Sequence, residues 1–171
     1  MRQRNTERFG TTPILFLDVD GVISLFGFAQ EQAPPGAFHW VNGVLHYISE
    51  GCGRRLLRLR EQYELVWATG WEETANEYLP HLLELPGELP VVSFDATPQW
   101  GTAHWKLTAI DRYAGPRPLA WIDDCHDESC RAWAEERDPP TLLIQSDPAM
   151  GLCDPHVDEL MEWAAALSGA Q

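Results

Sequence analysis

The chain has 171 residues, 44% of them hydrophobic and 22% charged, with 13 Gly and 13 Pro. That is one domain of ordinary globular composition, long enough for a three-layer core and unlike a disordered or fibrous chain. The net charge of -14 repels polyanions at long range and so disfavours nucleic acid without excluding it.

Residues 1–12 read as a flexible N-terminal tail, and residues 13–171 as a single domain. The start, "MRQRNTERFGTTP", lacks the apolar centre of a signal peptide. No apolar run approaches about 18 residues, so nothing is expected to span a membrane. Cys52, Cys125, Cys130 and Cys153 include no C-x-x-C pair, which argues against a zinc ribbon. A cytoplasmic protein with reduced thiols is the expectation.

"PILFLD" (13–18) is a continuous apolar run, as in a strand covered on both faces. "FHWVNGVLHYI" (38–48) predicts a hairpin around Asn42-Gly43, the pair that type I′ turns prefer. A helix with an apolar stripe is predicted over 51–62, a second buried strand over 64–69, and a helix kinked at Pro80 over 71–85. "LPVVSF" (89–94) predicts a third strand and 102–115 a helix stopped by Gly115. A fourth strand over 118–123, a helix over 127–137 and a fifth strand over 141–145 follow. A last helix over 154–167 has Asp154 in the N-cap position and Pro155 at its first turn. Strands alternate with helices, so the fold class is α/β: a three-layer, Rossmann-like fold with a mainly parallel five-stranded sheet and a small β-hairpin flap.

Open parallel sheets bind ligands at the carboxyl ends of their strands. Asp18 and Asp20 stand at the end of the first strand and Thr69 at the end of the second. Asp123 and Asp124 end the fourth, with Asp127 just beyond. If the first and fourth strands are neighbours, up to five carboxylates crowd one crevice. Such crowding costs several kcal/mol (about that order) unless neutralised. A hard divalent cation solves the problem, and all-oxygen ligands suit Mg²⁺. Helix position adds Lys106. Acids, a metal, a hydroxyl and a lysine suit phosphoryl chemistry.

On these motifs the chain resembles the haloacid dehalogenase (HAD) superfamily of hydrolases. "FLDVDGV" is similar to its first motif and "LVWATG" to its second. Lys106 stands where the third-motif lysine belongs, and "LAWIDD" followed by Asp127 is similar to the fourth. The resemblance implies that Asp18 is the nucleophile of an aspartyl-phosphate and Asp20 the general acid/base. It implies a Mg²⁺ held by Asp18, the main chain of Asp20 and Asp123, with Asp124 or Asp127 binding through water or orienting the shell. Thr69 and Lys106 would hold phosphoryl oxygens. Relatives that release halide lack an acid at the position of Asp20, so a phosphatase is favoured over a dehalogenase.

Neither the span from Gly21 to Ala68 nor that from Gly70 to Trp105 has room for a separate cap domain. A capless enzyme with the hairpin as flap is expected. Its open site would suit a large phosphorylated substrate or a lid from a neighbouring subunit in a homo-oligomer. Trp40 on the flap and Gly70 and Trp71 after the second strand are candidate substrate contacts. Trp100 and Trp105 flank the approach to Lys106, and such rings could stack on a base or sugar. His104 and His126 read as residues of the site's rim. Two rival readings are a phosphatase that processes nucleic-acid ends and a phospholigand-binding module with little turnover.

Overall fold

The computed structural model describes residues 12–169. Strand β1 (Ile14–Leu17) lies between β5 (Glu64–Trp67) and β6 (Leu119–Asp123), and β7 (Thr141–Gln145) extends the sheet beyond β6. All three pairings are parallel, with Leu17 level with Trp67 on one side and Ile122 on the other. Strand β1 is apolar at every position and β6 at all but its last, Asp123, because both faces are covered. Alternate residues go to opposite sides: Leu15, Leu17, Leu65, Ala120 and Ile122 join one core cluster, and Ile14, Phe16, Val66, Leu119 and Trp121 the other.

The first cluster is closed by helices α1 (Cys52–Leu59), α2 (Thr74–Leu82) and α5 (Asp154–Gly169). The second is closed by α3 (Leu107–Ala114) and α4 (Glu128–Glu136). The result is three layers with the sheet in the middle.

The flap is larger than the predicted hairpin. Strands β3 (Gly36–Val41) and β4 (Val44–Ser49) meet at Asn42 and Gly43, whose φ angles of 48° and 79° are both positive, as a type I′ turn requires. The short β2 (Ser24–Leu25) pairs with β4 and makes this a three-stranded antiparallel sheet. Between β1 and β5 the described chain otherwise holds only a 3-10 turn at Gln30–Gln32 and α1, so no cap domain is inserted there.

Among the described residues the parallel sheet has four strands, not the five predicted. The segment over 89–94 touches β5 at a single bridge, Trp67 to Val91. Trp67 N–H donates to the Pro90 carbonyl and Val92 N–H to the Trp67 carbonyl, both at 2.8 Å. Pro90 has no N–H to give, and the ladder stops there. The helix predicted over 102–115 opens as a 3-10 turn, His104–Lys106, before α3. Helix α2 is shorter than predicted and carries Pro80 in its last turn. Asp154 is the first residue of α5, and its carboxylate accepts a 2.7 Å hydrogen bond from Arg55 Nε. The predicted tail lies outside the described residues except for Thr12, whose carbonyl accepts from Arg117. Among the described residues no helix is long and apolar enough to cross a membrane.

Helix α1 passes so close to the end of α2 that a Cβ on Gly53 would sit 1.9 Å from the Leu83 carbonyl oxygen. Backbone cannot yield as a side-chain tip can. Gly53→Ala is expected to lower unfolding free energy by about 1–3 kcal/mol, whereas Gly87→Ala, with open space around it, stays near wild type. Urea denaturation of the two variants checks this, and equal midpoints would refute the close approach.

Candidate active site

The pairing of β1 with β6 brings their carboxyl ends together. Asp18 follows β1 and Asp123 closes β6. Both side chains are buried, and Lys106 Nζ lies between them, 3.0 Å from Asp18 Oδ2 and 2.7 Å from Asp123 Oδ2. Lys106 as a residue is only 3% exposed. It is the one lysine in the sequence. The remaining oxygens are oriented by backbone: Val19 N–H donates to Asp18 Oδ1 at 2.8 Å and Cys125 N–H to Asp123 Oδ1 at 2.9 Å.

Burial dominates the protonation of this group. It raises the Asp18 carboxyl to about 8, against the pull of Lys106 and with the push of Asp123. Burial works to lower Lys106, but Asp18 and Asp123 outweigh it and its pKa is raised. Asp124 is half-buried beside them, and its pKa is raised by burial and by Asp123. A Cβ on Gly21 would sit 2.5 Å from Asp124 Cγ, so only glycine lets the first-strand loop pass this carboxylate.

Asp20 is held differently. Its side chain is 42% exposed, against 10% for Asp18. Trp71 Nε1–H donates to its Oδ2 at 2.9 Å, and His46 Nδ1 lies 3.7 Å from its Oδ1. His46 Nδ1 also pairs with the Ser24 hydroxyl at 2.8 Å, and its ring meets Trp71 edge-on at 4.6 Å. The sequence reading missed His46. Its only signal was a place on the flap, and flap strands carry many residues with no such role.

Asp18, Asp20, Asp123, Asp124, Lys106, Gly70 and Trp71 all line one cavity of about 950 Å³. Thr69 is buried and does not line it. Its hydroxyl accepts from Trp71 N–H at 3.2 Å and so shapes the turn into Trp71. Trp40 stands outside the cavity, 70% exposed on β3. Asp127 also stands outside. It caps α4 by accepting from Cys130 N–H at 3.1 Å, and it accepts from the Ser129 and Thr102 hydroxyls at 2.5 Å. The two hydroxyls hold its carboxyl well below the usual range. His126 is not at the rim but buried under Trp121, with both ring nitrogens unpartnered and its pKa lowered by burial to about 4.

The donor set fits a hard cation. Four carboxylates (Asp18, Asp20, Asp123 and Asp124) line the cavity together with the ammonium of Lys106, which contacts the first and third of them. Asp123, Asp124 and Cys125 each bring one ligand atom within 4.8 Å of the others. Burial and Asp124 raise the Cys125 thiol to about 12, and the carboxylates beside it bring oxygen ligands, which suit Mg²⁺. Lys106→Met leaves the buried Asp123 carboxylate, with the Asp18 carboxyl beside it, without a cation. It is expected to cost about 3–5 kcal/mol in EDTA, read from urea unfolding. A cost under about 1 kcal/mol would mean that the lysine does not hold this end of the sheet together.

No curated protein matches the chain. Residues 14–157 match the family described as the HAD domain in Swiss Army Knife RNA repair proteins. The match takes in the sheet, the flap and every residue of the acidic cluster, and the chain therefore belongs to this family and, with it, to the HAD superfamily.

Proposed function

We propose that the protein is a magnesium-dependent phosphomonoester hydrolase that works through an aspartyl-phosphate on Asp18. One observation carries the reading: two carboxylates two residues apart lie in opposite environments. Asp18 is buried and tethered by Lys106 and the Val19 N–H, whereas Asp20 is half-open to the cavity and held by an indole N–H. Such a division separates a nucleophile from a proton carrier. Membership of a hydrolase superfamily supports it.

Asp18 attacks the phosphorus and the ester bond breaks. Asp20 gives its proton to the departing oxygen. With that oxygen gone, Asp20 takes a proton from water. The water attacks the phosphoryl group, phosphate is released and the Asp18 carboxylate is regenerated. Trp71 aims Asp20 in both steps. The N–H of Lys106 not used on the two carboxylates is free to hold a phosphoryl oxygen, and Thr69 keeps the Gly70–Trp71 turn in place. Mg²⁺, held by Asp18, Asp123 and the Asp20 carbonyl with Asp124 alongside, would supply the charge that ionises Asp18 and offsets the phosphoryl oxygens.

The family's description speaks of RNA repair, which favours a second reading of the same chemistry: removal of phosphate from a nucleic-acid end. The open, capless cavity is compatible with it, and the net charge of -14 opposes a long strand.

Phosphate release is measured on a panel of sugar phosphates, nucleotides, phosphopeptides and phosphorylated oligonucleotides, with Mg²⁺ or EDTA. Wild type is expected to be active only with the metal, and Asp18→Asn to lose about a thousandfold or more. Full activity in Asp18→Asn would overturn the mechanism. Tight phospholigand binding without turnover would leave a binding module.

The raised Asp18 pKa adds a pH test. Between about 4, its ordinary range, and about 8 the folded metal-free protein holds a proton that the unfolded chain has released. Its contribution to stability therefore falls as pH rises through that window. Mg²⁺ binding at pH 7 is expected to release close to one proton (roughly, given a pKa of about 8). Calorimetry in buffers of different ionisation enthalpy reads this, and Asp18→Asn should release none. No release from wild type would mean that Asp18 is already ionised.

A further inference from the structure

The floor of the cavity is acidic, but its mouth is not. Two segments separated in sequence supply it with rings. The flap and the loop before it contribute Phe28, Phe38 and Tyr47, with Phe28 and Phe38 each packed on Tyr47 at a centroid distance of 4.9 Å. The loop that leads into α3 contributes Pro98, Trp100 and Trp105. Phe38 is 61% exposed and Trp100 is 98% exposed. Rings are not left in water at the entrance of a site without an energetic cost, so an occupant that covers them is favoured.

Charge says what that occupant is not. Among the described residues, Lys106 is the only lysine or arginine that lines the cavity. Two buried carboxylates already engage it. A site that tracks a strand's backbone needs a row of Lys and Arg to displace counterions, and the described lining residues form no such row. They offer flat π-faces, which accept any base. The cavity of about 950 Å³ is at the upper end for a site that encloses one small organic ligand.

We propose that the flap rings and the 98–105 rings clamp one nucleobase, so that the substrate is a base-bearing phosphomonoester read at a single terminal nucleotide and not along a strand. This rests on the phosphatase reading above and narrows it. A free mononucleotide and the last residue of an RNA share the recognised chemistry. The net charge of -14 works against every further phosphate.

The test compares kcat/KM, with Mg²⁺, for ribose 5-phosphate, a nucleoside 3′- or 5′-monophosphate, and RNA oligonucleotides of two, four and ten residues phosphorylated at the matching end. The expected result is a rise of about ten- to hundredfold from sugar phosphate to nucleotide. No further rise follows with length, and oligonucleotide activity does not fall between 50 and 200 mM salt (roughly the range over which a tracked strand weakens steeply). In Trp100→Ala and Phe38→Ala the nucleotide-to-sugar ratio drops about tenfold or more. Equal rates for sugar phosphate and nucleotide, or rates that climb with strand length and collapse with salt, would overturn the clamp and leave the phosphatase standing. If nothing in the set is hydrolysed, the phosphatase reading falls, and calorimetric binding of the same compounds to Asp18→Asn decides the clamp alone. Nucleotide binding about tenfold tighter than ribose 5-phosphate supports it, and equal binding refutes it.

Discussion

The ammonium of Lys106 between the carboxylates of Asp18 and Asp123 is the interaction on which the acidic end of the parallel sheet depends. Three ionisable groups leave water together there. Two neighbouring strands can end in acids only because a cation on a third element reaches between them. That cation sits where a 3-10 turn runs into α3, and it spends its reach on both acids. Even so, four acidic side chains line the cavity beside one ammonium, a donor set that fits a hard divalent cation.

The rest of the fold brings these groups together. The doubly covered sheet puts β1 beside β6 in parallel register, so Asp18 and Asp123 leave their strands at one level. Gly21 lets the loop after β1 pass Asp124. The flap reaches back through His46 and Ser24 toward Asp20, and Trp71, four residues beyond the end of β5, reaches the same carboxylate from the other side. The acid/base candidate is thus held by two elements that are distant in sequence, while the nucleophile candidate is held by the core.

Much of this was legible in the residues. Unbroken apolar runs announced the central strands because both faces of a parallel sheet are covered. Asn42-Gly43 announced the hairpin because its turn needs two positive φ angles. Acids after apolar runs announced the site because charge at a buried strand end needs a reason. Where the reading departed from the structure, the causes were local competition or packing. Pro90 cut a fifth strand to one bridge. Asp127 had helix-cap donors and a threonine hydroxyl within reach, and these took its carboxylate out of the cavity. Trp40 shares a strand with Phe38 but lies farther along it, and only the mouth-proximal ring lines the cavity.

The sequence by itself therefore determined the alternation of strands and helices, the order of the acidic and basic motifs and the lack of room for a cap. These properties follow from hydrophobic period, turn chemistry and chain length, which act between near neighbours. Only the tertiary structure decided which acids share a cation, which tryptophan holds Asp20, that His46 joins it, and which rings stand at the mouth. Those choices rest on contacts of a few ångströms between segments tens of residues apart. Side-chain direction and strand order set such contacts, and no local pattern encodes either.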